Sequence, residues 1–188
     1  MIYMNNGKTN LASYNCDWHN CGGSGLKIKI WYFFNALFMR NTLCPFMGIK
    51  RSLLRMFGAQ IGTGVWIKPG VNVKYPWNLT IGNNVWIGEN VWIENNEPVT
   101  IGDNVAISQN AVLLCGNHNY KKTTFDLMVG KITLKEGSWV GAGAMVCPGV
   151  TIHSHAVLSV CSVATKDLEA YSIYQGNPAV KVRDRVIE

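Results

Sequence analysis

The chain has 188 residues, 48% of them hydrophobic and only 15% charged. That is one domain's worth of sequence, long enough to bury a core without a disulfide or metal staple and too apolar for a disordered polymer. Seventeen Lys and Arg against eleven Asp and Glu give a net charge of +6, which favours an anionic partner. The basic residues are scattered rather than interleaved with aromatics, so nucleic acid is not expected.

Residues 1–56 read as an irregular and helical N-terminal segment. Within it, Cys16-Asp-Trp-His19-Asn-Cys21 holds metal-ligating residue types. It has no second ligand pair at zinc spacing, so no metal is expected. The six Cys are spread along the chain with no secretory signal before them, the pattern of reduced thiols in the cytoplasm. The most apolar run, Ile30 to Met39, is ten residues long and contains Asn35, whereas a membrane span needs about 20. Lys27 and Lys29 precede it; Arg40, Lys50, Arg51 and Arg55 follow. The expected structure is a helix packed on the rest of the protein. The second reading is a peripheral contact with the inner face of a membrane, the basic flank attracted to anionic lipid.

From Ile61 an aliphatic residue recurs every six positions: Ile61, Ile67, Val73, then, after a slip of two, Ile81, Ile87, Ile93. A second slip of two leads to Ile101, Ile107 and Leu113, and after a long interruption come Leu134, Val140, Val146, Ile152, Leu158 and Ala164. Four residues after each stands a second inward candidate, usually small or β-branched, from Val65 through Ala111 to Ser162. A period of six fits neither an α-helix nor an alternating strand; it fits a short strand plus a turn, repeated around a triangular prism. Residues 57–169 therefore read as a parallel β-helix, an all-β solenoid of about five coils. Residues 170–188 read as a C-terminal tail. Both slips and the interruption, roughly residues 115–131, fall where a third face hands over to a first. Insertions confined to one corner of a solenoid mark a binding edge. Trp66, Trp86 and Trp139 share the same outward position of the first hexapeptide of their coils and should form a column, with Ala106 between them. Such a column needs a cover, either the N-terminal helix or a neighbouring subunit.

His118, in Leu114-Cys-Gly-Asn-His118-Asn-Tyr120, opens the one long loop at that unusual corner. His19, His153 and His155 read as solvated polar residues. A neutral imidazole at position 118 can act as general base for a hydroxyl or amine attacking an acyl carbon, with a carbonyl or carboxylate fixing its tautomer. A glycine-turn N–H could stabilise the oxyanion. Cys115 nearby raises a covalent Cys–His alternative. Some β-helices bind zinc through two His five residues apart; here the residue five after His118 is Thr123, so that pair is absent.

These residues, with Leu53-Leu-Arg-Met-Phe-Gly58-Ala, Tyr75-Pro-Trp-Asn-Leu-Thr-Ile-Gly82, Ser162-Val-Ala-Thr-Lys166-Asp and Gly176-Asn-Pro-Ala179, resemble the hexapeptide-repeat acyltransferases. The likeness is to the colanic-acid-biosynthesis, exopolysaccharide type, related to galactoside and maltose O-acetyltransferases. It runs from about Lys27 to the C-terminus and leaves the first 26 residues unmatched. It implies a left-handed parallel β-helix, a homotrimer with active sites between subunits, acetyl-CoA as donor and a glycan hydroxyl as acceptor. It implies His118 as the catalytic base. Trp139 and Ala142 match positions near the acceptor and the pantetheine arm, and Val160, Thr165 and Lys166 the later-coil wall of the CoA tunnel. Arg183 matches a contact to the CoA phosphates. Glu94, Asn95, Asn96 and Asn119 lie where acceptor-binding groups are expected. Asn119 stands where relatives carry Asp, and Val160-Cys161 replaces small residues. Acetylation of an amino sugar, serine or a drug, and a non-catalytic scaffold, are the alternatives.

Overall fold

A computed structural model describes residues 7–188; residues 1–6 of the N-terminal segment lie outside the description. The aliphatic positions at period six become strands of two or three residues that stack into three parallel sheets. The first face runs Gln60–Ile61, Leu79–Ile81, Val99–Ile101, Ile132–Leu134, Thr151–Ile152. The second runs Trp66–Ile67, Trp86–Ile87, Ala106–Ile107, Trp139–Val140, Val157–Leu158, and the third Asn72–Val73, Trp92–Glu94, Val112–Leu114, Met145–Val146, Val163–Ala164. These make five full coils. A sixth strand, Ser172–Gly176, continues the second face and pairs antiparallel with Ala179–Asp184. The segment expected as a tail is thus a hairpin of the solenoid, and the repeat region extends beyond residue 169.

The register explains the period. Ile67, Ile87, Ile107, Val140 and Leu158 stack along the inside of one face, each at most 2% exposed. The small and β-branched second set closes the corners: Val65, Val91, Ala111, Ala144 and Ala156 are fully buried. Corner turns use left-handed backbone in two columns, Gly64, Asn84, Asn104, Gly137, His155 and Gly70, Asn90, Asn110, Gly143, Cys161. Gly and Asn tolerate that region best. At Gly137 the absence of a side chain is also steric, since a Cβ would fall 2.1 Å from the His155 ring atom Nδ1.

Outward residues divide the faces. The first carries a ladder of Gln60, Thr80, Thr100, Thr133 and Thr151. The second carries Trp66, Trp86, Ala106, Trp139 and Val157, and the third Asn72, Trp92, Val112, Met145 and Val163. The Trp column lies in one register as expected. Trp86 remains 65% exposed, so the chain's own helices do not cover it.

Those helices cap the solenoid's first coil, whose outer strand edge would otherwise present unpaired carbonyls. Helix α1 (Gly25–Phe34) is N-capped by Ser24 and continues into a wide π-type turn, Asn35–Met39; α2 spans Met47–Met56. Trp31 Nε1 donates to Val73 O at 2.8 Å, Lys50 Nζ to Lys68 O at 3.0 Å and Arg51 Nη1 to Val65 O at 2.7 Å. Arg55 Nη2 donates to the carbonyls of Ile61 and Gly62. Three cations read from the sequence as a lipid-facing flank are therefore engaged with backbone. Lys50 is fully buried, and burial pulls its ammonium pKa below the usual lysine range.

Candidate active site

The third-to-first corner is wide because it holds the extra residues. Its first two passages carry the short turn Pro76–Asn78 and the segment 95–98; the third carries the insertion. The insertion is a hairpin, Gly116–His118 pairing antiparallel with Leu127–Val129. Its tip is braced by Asp126, which accepts from Lys122 Nζ at 2.7 Å and from the Thr124 hydroxyl. Those two hydrogen bonds hold the Asp126 carboxyl below its ordinary pKa.

His118 ends the first strand of this hairpin. Its Nδ1 lies 2.9 Å from Phe125 O, and its ring stacks on the Phe125 ring at 4.5 Å and 7°. A carbonyl only accepts, so Nδ1 carries the hydrogen, and in the neutral ring the lone pair is on Nε2. The tautomer is thus fixed by a backbone carbonyl seven residues on. Asn119 does not orient the ring. Its side-chain oxygen accepts from Lys121 N and its backbone N–H donates to Asp126 O, so it shapes the loop turn.

A pocket of about 460 Å³ opens in front of the imidazole, bordered by Tyr14, His19, Lys74, Glu94, Asn96 and His118. Glu94 is held from three sides: by Lys74 Nζ at 2.8 Å, Asn96 Nδ2 at 2.8 Å and Gly116 N at 3.2 Å. Asn95 turns away. It is 0% exposed and exchanges hydrogen bonds with the backbone of Tyr75, so it braces the corner instead of facing an acceptor. Cys115 is also fully buried, and desolvation pushes its thiol up to about 12. A thiolate nucleophile is not available there.

The other wall was not legible in the sequence. Residues 8–23 cross the wide corner, tied by Asn10 N to Thr123 O at 2.8 Å and by Trp77 Nε1 to Cys21 O, with the buried His19 Nε2 lying 3.3 Å from Glu97. Tyr14 stands with its ring centroid 5.6 Å from that of His118. Among the described residues, His19 and the nearby cysteines join no cluster of three metal-ligating groups. Lys74 could have been found: it lies 20 residues before Glu94, one coil plus one slip.

The residues assigned to the cofactor separate. Trp139, Ala142, Val160 and Arg183 border one groove of about 490 Å³ with Ser108 and Gln109, along the second face and its corner with the third. Trp139 Nε1 donates to Ser108 Oγ at 2.9 Å. Gly141 keeps this corner tight, since a Cβ there would meet Val160 N at 2.6 Å. Thr165 and Lys166 are exposed at the wide corner instead, two coils beyond the His118 hairpin. One edge of the prism therefore carries His118, Glu94, Asn96, Thr165 and Lys166, and a different edge carries the groove.

No family model matches the chain. It is 35% identical over 165 residues to WcaF of Escherichia coli K12, named as a colanic acid biosynthesis acetyltransferase; the match covers 88% of this chain and 91% of that one. The hexapeptide-repeat acetyltransferase VCA0836 of Vibrio cholerae superposes with a TM-score of 0.78 at 19% identity, over 87% of this chain and 94% of that one. A galactoside acetyltransferase in complex with coenzyme A superposes at 0.75 with 27% identity, over 85% and 80%. The chain belongs to the hexapeptide-repeat acetyltransferases, and its solenoid is their left-handed parallel β-helix. Within that family it groups with the colanic-acid-biosynthesis acetyltransferases, and it is an enzyme.

Proposed function

We propose that the enzyme transfers an acetyl group from acetyl-CoA to a sugar hydroxyl of a polysaccharide or its precursor, directly, with His118 as general base. The hydrogen bond from Nδ1 to Phe125 O carries this reading, because in the neutral ring it leaves Nε2 as the basic nitrogen of a side chain that borders the pocket. His118 Nε2 takes the acceptor's proton as its oxygen attacks the thioester carbon. The C–S bond breaks, and the departing thiolate takes that proton back from the imidazolium. Glu94, fixed by Lys74, and Asn96 supply polar groups for the acceptor's other hydroxyls. The burial of Cys115 argues against a covalent acetyl-cysteine. The names of the relatives support acetyl transfer to a glycan, and the coenzyme A complex of the galactoside enzyme supports the donor. Arg183 beside the groove, and Lys166, are suited to the anionic end of CoA.

Base and groove lie on different edges of one prism, so a complete site needs a second copy. A contact of one edge with the other edge of the next copy is heterologous, and it closes into a ring when the rotation between copies divides a full turn. We read that ring as a homotrimer, with the two apolar outward faces turned to neighbours and the Thr ladder to solvent. The reaction belongs to the cytoplasm, where acetyl-CoA is made. The test is thiol release from acetyl-CoA with a panel of mono- and oligosaccharides, for wild type and His118→Ala. Equal activity of the two proteins would remove His118 from the mechanism. Absence of CoA binding and of turnover with every sugar would sink the reading as a whole.

A further inference from the structure

We propose that the outward face of α1 docks on an anionic lipid membrane. The helix is apolar on two sides. Trp31, Asn35 and Met39 turn inward and are at most 5% exposed. On the opposite side Leu26, Ile30, Phe33 and Leu37 follow one another at helical spacing and stay between 42% and 68% exposed. A continuous apolar stripe on a surface helix marks an interaction site. No helix among the described residues is long and apolar enough to cross a membrane, so the contact is interfacial, with the helix lying flat.

Charge selects the partner. Between Asp17 and Glu89 the chain has no acidic residue and eight Lys or Arg. Lys50, Arg51 and Arg55 are used on the first coil's carbonyls, and Lys27 lies over the Trp77 ring at 4.4 Å. Lys68 and Lys74 have carboxylate partners in Glu89 and Glu94. Lys29, at helical spacing from Leu26 and Phe33 of the stripe, and Arg40, where the helical segment ends beside Asn72 and Trp92, are exposed and have no ion pair among the described residues. A second copy meeting this face symmetrically would set these cations against themselves. An anionic lipid surface receives the apolar stripe and both cations together. The face is complete on a single chain, and a three-fold ring would present three such faces at one pole, multiplying their avidity.

The test is co-sedimentation of the whole protein with vesicles of phosphatidylcholine alone and of phosphatidylcholine mixed with phosphatidylglycerol, at low and high salt. Binding to the anionic vesicles only, weakened by salt, is expected. Lys29→Glu with Arg40→Glu should weaken it about tenfold or more, and Phe33→Glu with Leu37→Glu should abolish it. Circular dichroism checks that the variants stay folded, and acetylation of a soluble sugar should be unchanged in both. That control separates failure here from failure of the proposed reaction. Wild type that ignores anionic vesicles overturns the proposal. So does a Phe33→Glu, Leu37→Glu protein that binds as before, or one that instead falls to a smaller oligomer, which would make the face a subunit contact.

Discussion

The two corners that flank the third face are built in opposite ways. At the tight corner every coil turns on one left-handed residue, Gly70, Asn90, Asn110, Gly143 or Cys161, with no insertion. The backbones of successive coils touch there, and a groove runs along the corner. At the wide corner each of the first three passages carries extra residues, and they lean out of the stack without disturbing the inward ladder. Side chains from several coils and from residues 8–23 converge around His118. A solenoid fixes its register from inside, so it accepts insertions only where they can leave sideways. Convergent polar groups collect at the wide corner, and a long open groove runs along the tight one; the proposed reaction uses the first for chemistry and the second for the cofactor.

The contrast can be broken at either corner. His118→Ala should lower kcat by about 10²–10⁴ while acetyl-CoA still binds, read by turnover together with calorimetry of CoA binding. Trp86→Glu puts a carboxylate on an apolar face, and should raise the concentration at which sedimentation shows monomers by about tenfold or more. Thr100→Glu on the Thr ladder should not, and equal behaviour of the two would end the argument that faces two and three are covered. Arg183→Ala should raise the KM for acetyl-CoA about tenfold with kcat nearly unchanged, the reverse of the His118 pattern. A fall in kcat alone would move Arg183 out of the cofactor site.

The smallest effect concerns pH. Asp126 is held below its ordinary pKa by Lys122 and Thr124. A carboxyl depressed in the folded state stabilises above its unfolded pKa, and that contribution is lost as pH falls through the lowered value. The hairpin brace should therefore hold through the ordinary aspartate range and release only below it. Amide exchange of residues 119–126 should show that release in wild type and not in Asp126→Asn.

Much of the solenoid could be read directly because its rule is local. Ile87, Ile107 and Val140 are inward for the same steric reason in every coil, and the Trp column follows from counting. Slips and interruption named the wide corner for the same reason. His118 was legible as the unusual residue in that corner, but its orienting group was not. Phe125 O acts as backbone, and no side-chain pattern announces it. Asn95 and Asn96 look alike in sequence, yet one is buried against Tyr75 and the other borders the pocket. Lys50, Arg51 and Arg55 read as a basic flank because a sequence does not show which strand edge lacks a partner.

What the sequence determined by itself is the prism: strand length, inward and outward positions, the corner that bulges, and the surplus of positive charge. These follow from a six-residue steric repeat and from composition. Tertiary structure alone decided which polar groups meet. It brought Tyr14 to His118, set Lys74 beside Glu94, sealed Cys115 inside and put the groove on a different edge from His118. Those relations join residues tens of positions apart or on separate faces. They depend on how a loop and a terminal segment fold over a finished scaffold, and no period carries that information.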